Sequence, residues 1–195
     1  MITCKNILLV GVGGQGTILT SKILSTSLLN AGYDVKMSEI HGMAQRGGSV
    51  STQVRYGEHV NSPIIGRGEA DILIAFEKME AMRWVEFLSK SGKLIVNDYE
   101  IESAPILAGK ETYPEGVLET LSKKTSTLVI PATKMAMEMG NIRVMNIIML
   151  GVLVKQAGLA SIDWKKEMNN LIKPKFVDIN LKAFDLGYQY NIKGY

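Results

Sequence analysis

The sequence predicts a three-layer α/β/α sandwich on a mostly parallel sheet, with a helical C-terminal part. Three observations predict it. Short apolar runs bounded by glycine, proline or asparagine recur along the first two-thirds of the chain. Such runs mark strands buried on both faces. Segments with helical spacing of apolar residues separate them, and alternating strands and helices imply a sheet covered on both sides. Beyond Pro131 the pattern becomes wholly helical.

Residues 6–11 (NILLVG) form a continuous apolar run and the first strand. Glycines follow, and then residues 17–30 place Ile18, Ile23, Leu24 and Leu28 at helical spacing. Gly32 stops that helix, and residues 33–40 read as a second strand. A strand, a glycine-rich turn, a helix and a strand in this order imply a parallel sheet with a right-handed crossover. Residues 49–56 (SVSTQVRY) alternate small or polar residues with Val50 and Val54, the pattern of a half-exposed strand. Residues 71–76 (DILIAF) are another buried strand, 77–90 a helix, 93–97 a strand after Gly92, and 127–130 a strand stopped by Pro131. Helices are predicted over 132–139, 143–157, 162–171 and 175–190. Within 144–154 Asn146 is the sole polar residue, so it is expected to be buried and bonded, to backbone near the sheet or across a subunit interface.

The 195 residues suffice for one domain with a sizeable core and are short for two, so residues 1–195 are read as a single domain. The net charge of +3 is small and the basic residues are scattered, which gives no footprint for nucleic acid. Cys4 is the only cysteine. One thiol makes no internal disulfide, which suits a reducing compartment, and it cannot supply the four thiolates of an iron–sulfur cluster. With only His41 and His59 to help it, a structural zinc site is not expected either. The N-terminal apolar run leads into glycines and not a signal-peptide cleavage site, and no apolar stretch is long enough to span a bilayer. These features point to a cytoplasmic protein without a membrane partner.

Gly11-Val12-Gly13-Gly14-Gln15-Gly16 fits G-x-G-x-x-G between a strand and a helix, the setting that makes a sandwich of this kind Rossmann-like. Free amides at the helix start favour an anion, and Thr17 can add a hydroxyl. Glu39, 23 residues after Gly16, stands near where a dinucleotide site places its ribose-binding carboxylate. The same glycines also serve plain strand–helix packing, so the turn alone decides nothing.

The segment 38–49 (SEIHGMAQRGGS) is more distinctive. It gathers Glu39, His41, Gln45 and Arg46, with Gly42, Gly47 and Gly48 making the backbone permissive. It starts where the second strand ends, the side of an open sheet where ligands bind. Arg46 can clamp a carboxylate or phosphate with its planar fork, and His41 can relay a proton near neutral pH. Glu39 and Arg46 are equally able to pair with each other, and His41 to satisfy backbone groups.

Together, GVGGQG after the first strand and SEIHGMAQRGG after the second resemble the gamma-type domain of 2-oxoacid:ferredoxin oxidoreductases. The matching positions are Ser38, Glu39, His41, Gly42, Met43, Gln45, Arg46, Gly47 and Gly48, and the helix start Asn141-Ile142-Arg143-Val144-Met145-Asn146 is similar too. The HGMAQRGG form points to the indolepyruvate type of that family.

The resemblance implies a non-autonomous oxidoreductase subunit. The complex would decarboxylate a 2-oxoacid such as an arylpyruvate, pass the acyl group to coenzyme A and give the electrons to ferredoxin. Thiamine diphosphate and the Fe-S clusters would sit on a large alpha subunit, and this chain alone would bind no cofactor or metal. Candidate catalytic residues are His41, Gln45 and Arg46. Candidate cofactor-binding residues are Gly11, Gly13, Gly14, Gln15, Gly16, Thr17, Glu39, Gly47 and Gly48. Gamma subunits of pyruvate or 2-oxoglutarate ferredoxin oxidoreductases are the alternative. A stand-alone NAD(P)-binding enzyme, supported by the glycine turn and Glu39, lacks a recognisable Tyr/Lys or Cys/His catalytic set.

Overall fold

The computed structural model describes residues 4–42 and 47–190. Six strands among them form one sheet in the order β2-β3-β1-β4-β5-β6. They are β1 (Lys5–Val12), β2 (Asp34–His41), β3 (Ser49–Gly57), β4 (Ala70–Ala75), β5 (Leu88–Asn97) and β6 (Ser126–Ile130). The pairs β1–β4, β4–β5 and β5–β6 are parallel, while β3 runs antiparallel to both neighbours.

The helices lie on both faces. They are α1 (Thr17–Asn30), α2 (Lys78–Trp84), α3 (Ala104–Leu107), α4 (Val117–Lys124), α5 (Ala132–Glu138), α6 (Met145–Gln156), α7 (Trp164–Leu171) and α8 (Val177–Gln189). Ile7 and Leu9 of β1 pack with α1, α5, α6, α7 and α8 in one core, and Leu8 and Val10 pack with α2 and α4 in the other. The strict alternation along β1 therefore buries both faces of the strand, as its unbroken apolar run predicts. The fold is the expected α/β sandwich with a mostly parallel sheet.

Four local expectations are corrected. The first two parallel strands are not neighbours: β3 returns through a hairpin from β2 and inserts between β1 and β2. Consequently β3 is central and largely buried, not half-exposed, and Ser51, Thr52 and Gln53 are inside. The helix expected over 77–90 stops at Trp84, passes through a 3-10 turn, and gives way to β5 already at Leu88. Finally, α4 arises where no helix is predicted; its buried face is only Val117 and Leu121, too sparse an apolar pattern to read.

Helix α6 is buried on all sides because α8 covers its outer face. Gly151 and Gly187 let the two backbones touch: a Cβ on Gly187 would lie 1.9 Å from the Ile148 carbonyl oxygen. On the other face Glu77 is 1% exposed and accepts three hydrogen bonds, from Glu80 N, the Tyr113 hydroxyl and Ile101 N. A buried carboxylate is tolerable when donors surround it. Here it caps α2 and fastens the segment around Ile101 beside the sheet's C-terminal edge.

Candidate functional site

Because β3 lies antiparallel between them, β1 and β2 run the same way, and their C-terminal ends open onto one edge. The glycine turn leaves β1 there, and the hairpin loop leaves β2 there. They are tied directly where Gly13 N donates to the Gly48 carbonyl at 2.9 Å, and within the hairpin Gly42 N donates to the Ser49 carbonyl at 3.0 Å. A cavity of about 560 Å³ lies between them, lined by Gly13, Gly14, Thr17, His41, Gly42 and Val50 among others. A second, of about 480 Å³, opens on the other side of the turn toward Tyr99, Ile101, Thr133, Arg143 and Asn146.

The turn residues divide by role. Gly14 has φ 103°, and among the described residues an added Cβ there would meet no atom within 4 Å. Gly16, with φ 82°, is the N-cap of α1, and a Cβ there would strike Asn146 Nδ2 at 2.4 Å. A Cβ on Gly11 would meet Gln15, Phe76 and Thr17. Thus Gly11 and Gly16 serve packing, the latter against α6, while Gly14 faces outward. Among the described residues no side chain caps α1, so its first-turn amides, which have no partner within the helix, remain available to an anion. Thr17 is buried at the first position of α1 and lines the cavity on the hairpin side.

Gln15 turns out to be a staple. Its Oε1 accepts from Val12 N and its Nε2 donates to the Phe76 carbonyl, both at 2.8 Å. These bonds sew the end of β1 to the end of β4. Between those strands the connections pass to opposite faces, α1 on one and α2 on the other, which is the switch-point crevice of an open α/β sheet. The Gln15 amide, a candidate for cofactor binding in the sequence, thus makes two bonds within the chain. Asn97 reinforces the join, donating to the Phe76 carbonyl and to Thr133 Oγ1 while accepting from Thr133 N.

Glu39 accepts from Ser21 Oγ at 3.0 Å, and its other oxygen lies 3.7 Å from His41 Nε2. It stands two strands from β1, roughly 10 Å away at the usual spacing, where a dinucleotide site has it one strand away. Together with the stapled crevice, this geometry does not favour the NAD(P) alternative. His41 is half-exposed at the hairpin-side cavity. Gly47 and Gly48 close the hairpin loop against the turn; Met43, Gln45 and Arg46 lie outside the described residues.

Asn146 is buried and bonded as its sequence context demands, donating to the Gly16 carbonyl at 3.1 Å, but its Oδ1 has no partner among the described residues. Sequence reasoning missed Arg143, Thr133, Tyr99 and Ile101, which meet the turn only through folding. Around this edge Ile18, Ile40 and Ile142 are each about half exposed (49%, 52% and 45%). Among the described residues, no group of three or more metal-ligating side chains comes together and no helix is long and apolar enough to cross a membrane.

The comparisons agree with this architecture. A family model described as pyruvate ferredoxin/flavodoxin oxidoreductase matches residues 6–190. The chain is 38% identical over 190 residues to the indolepyruvate oxidoreductase subunit IorB of Pyrococcus horikoshii, covering 93% of each. It is 39% identical over 194 residues to the IorB subunit of Archaeoglobus fulgidus, covering 97% of this chain and 96% of that one. The crystal structure of pyruvate oxidoreductase subunit PORC from Thermotoga maritima superposes with a TM-score of 0.71 at 24% identity, covering 96% of this chain and 97% of that one, a likeness of fold.

Proposed function

The chain belongs to the pyruvate ferredoxin/flavodoxin oxidoreductase family, and we propose that it works as the small, gamma-type subunit of an indolepyruvate-type 2-oxoacid:ferredoxin oxidoreductase. The observation that carries this reading is the joined pair of motifs. The glycine turn and the hairpin loop meet at one open edge, tied by Gly13 and Gly48 and rimmed by half-exposed isoleucines. An open, apolar-rimmed edge of this kind suits closure by a partner. Residues 1–195 act as one unit in this reading, in the cytoplasm.

The division of labour follows from chemistry. With Cys4 as the only cysteine, Fe-S clusters held by four thiolates belong to a large alpha subunit. Thiamine diphosphate, bound on that subunit, supplies the carbanion chemistry of 2-oxoacid decarboxylation. This chain positions and shields. The uncapped amides of Gly16 and Thr17 at the start of α1 suit a phosphate of coenzyme A, with Arg143 on the far rim. Gly14 leaves the space such a group would need. His41, held beside Glu39, is placed to carry a proton at the hairpin-side cavity. Gln45 and Arg46 are assigned to the subunit junction or to a coenzyme A phosphate, where a planar guanidinium fork binds best. Ferredoxin is reached through the complex.

Association tests the reading. The chain mixed with the large subunit should elute as one complex, and Ile18→Glu combined with Ile142→Glu should abolish it while leaving this chain folded. A complex that forms equally well with both charges in place would show that this edge is not the junction.

A further inference from the structure

Residues 98–116 join β5 to α4 by an excursion that includes the single turn of α3. A connection this long in a compact domain is uncommon, and is usually either functional or disordered. This one is built to hold a shape. Its two ends meet at one buried carboxylate: Glu77 accepts from Ile101 N on the way out and from the Tyr113 hydroxyl on the way back. Tyr113 in turn accepts from Met79 N, and Lys78 N donates to the Tyr99 carbonyl. The largely buried Lys78 ammonium pairs with Asp98 at 3.2 Å and Glu100 at 2.7 Å. Beyond this neck the tip satisfies its own backbone, since the Ser103, Ala104 and Pro105 carbonyls accept from Leu107 N, Ala108 N and Lys110 N. Residues 102–112 are nevertheless all exposed apart from the half-buried Ile106.

The surface so presented is not that of an ordinary solvated loop. Leu107, the last residue of α3, is 71% exposed, more than any other large apolar side chain among the described residues. Around it, residues 98–116 carry five carboxylates and one lysine, in a chain whose net charge is +3. Lys78 answers two of the carboxylates, while Glu102, Glu111 and Glu115 have no ion pair among the described residues. An apolar anchor ringed by charge of one sign has the anatomy of an interface centre and its rim. A tip already held in shape loses little conformational freedom on binding. The excursion leaves the sheet at the C-terminal end of β5, the same edge onto which the glycine turn opens, and Tyr99 and Ile101 at its root also wall the cavity beside that turn. We propose that this arm docks on the large subunit, with Leu107 in an apolar pocket whose rim is lysine and arginine. The proposal rests on the subunit reading above and extends the junction from the open edge onto the arm.

The test is binding of the full chain to the immobilised large subunit, at low salt and again at about 0.5 M, where exposed charges are screened. Leu107→Asp should raise Kd by about tenfold or more, mainly through faster dissociation. Glu102→Gln combined with Glu111→Gln and Glu115→Gln should slow association severalfold at low salt and match wild type at high salt. Leu29→Asp puts the same charge on a half-exposed apolar residue at the far end of α1 and should leave binding unchanged. Circular dichroism of each variant reports its fold. Wild type that does not bind the large subunit overturns the subunit reading and this proposal together. Wild type that binds, with a folded Leu107→Asp binding equally well, the glutamine triple associating at the wild-type rate, or Leu29→Asp losing as much as Leu107→Asp, overturns this proposal alone.

Discussion

Gln15 shows how a side chain that reads as a ligand donor becomes part of the frame. Both halves of its amide are satisfied by backbone groups of two different strands. Replacing it by Met keeps the length and leaves Val12 N without its acceptor. The Phe76 carbonyl keeps its bond from Asn97, so one buried amide is orphaned, and Gln15→Met should lower stability by about 1–3 kcal/mol in chemical denaturation. An unchanged midpoint would mean that water replaces the amide freely. Tyr56 supports a prediction in pH. Burial, followed by the charges of Tyr33 and Asp71, pushes its phenol up to about 12. The folded state thus favours the neutral phenol, and that contribution is fully present below the unfolded value near 10. It is lost as pH rises from there through about 12. Thermal melts of wild type should fall across that window, and Tyr56→Phe should fall less steeply while matching wild type at neutral pH. Identical alkaline profiles would remove Tyr56 from the account.

At the scale of elements, the buried strands were legible because unbroken apolar runs admit few alternatives: β1 and α1 stand where the sequence puts them, within a residue. The place of β3 was not legible. Ser51, Thr52 and Gln53 look like surface residues in sequence, and only pairing with both β1 and β2 makes them interior. The end of α2 at Trp84 was hidden for a related reason, since apolar Trp84, Val85, Phe87 and Leu88 suit a continuing helix as well as a turn into β5. In the site, the motifs were visible as motifs, and their meeting at one edge followed from strand direction. The roles within them were not, because Gln15 finds Phe76 61 positions away and Asn146 finds Gly16 130 positions away. The α6–α8 contact is a further case that spacing alone does not reveal. A Cβ on Gly151 would sit 2.3 Å from the Phe184 carbonyl oxygen, a backbone atom that no rotamer change can move. Gly151→Ala should therefore cost about 3 kcal/mol, the upper end for overpacking, and lower Tm by roughly 6–12 °C. A melt within a degree or two of wild type would show that the helices separate easily.

The whole molecule joins a complete, two-faced core to an edge left open. The core needs no partner: both faces of the sheet are covered by the chain's own helices. The edge, by contrast, presents uncapped amides, an outward glycine and half-exposed isoleucines. A protein built this way folds alone and acts in company. If Gly14 faces a coenzyme A phosphate, Gly14→Val in the assembled enzyme should raise KM for coenzyme A by about tenfold, a loss of about 1.4 kcal/mol, with assembly retained. An unchanged KM would turn the glycine away from that ligand.

The most direct measurement of the central claim is the rate of viologen reduction by the large subunit with and without this chain, using indolepyruvate, pyruvate and 2-oxoglutarate in turn. The chain alone should be inactive, adding it to the large subunit should give coenzyme A-dependent reduction, and indolepyruvate should be the best of the three substrates. Full activity of the large subunit by itself, or 2-oxoacid oxidation by this chain without any partner, would contradict that claim.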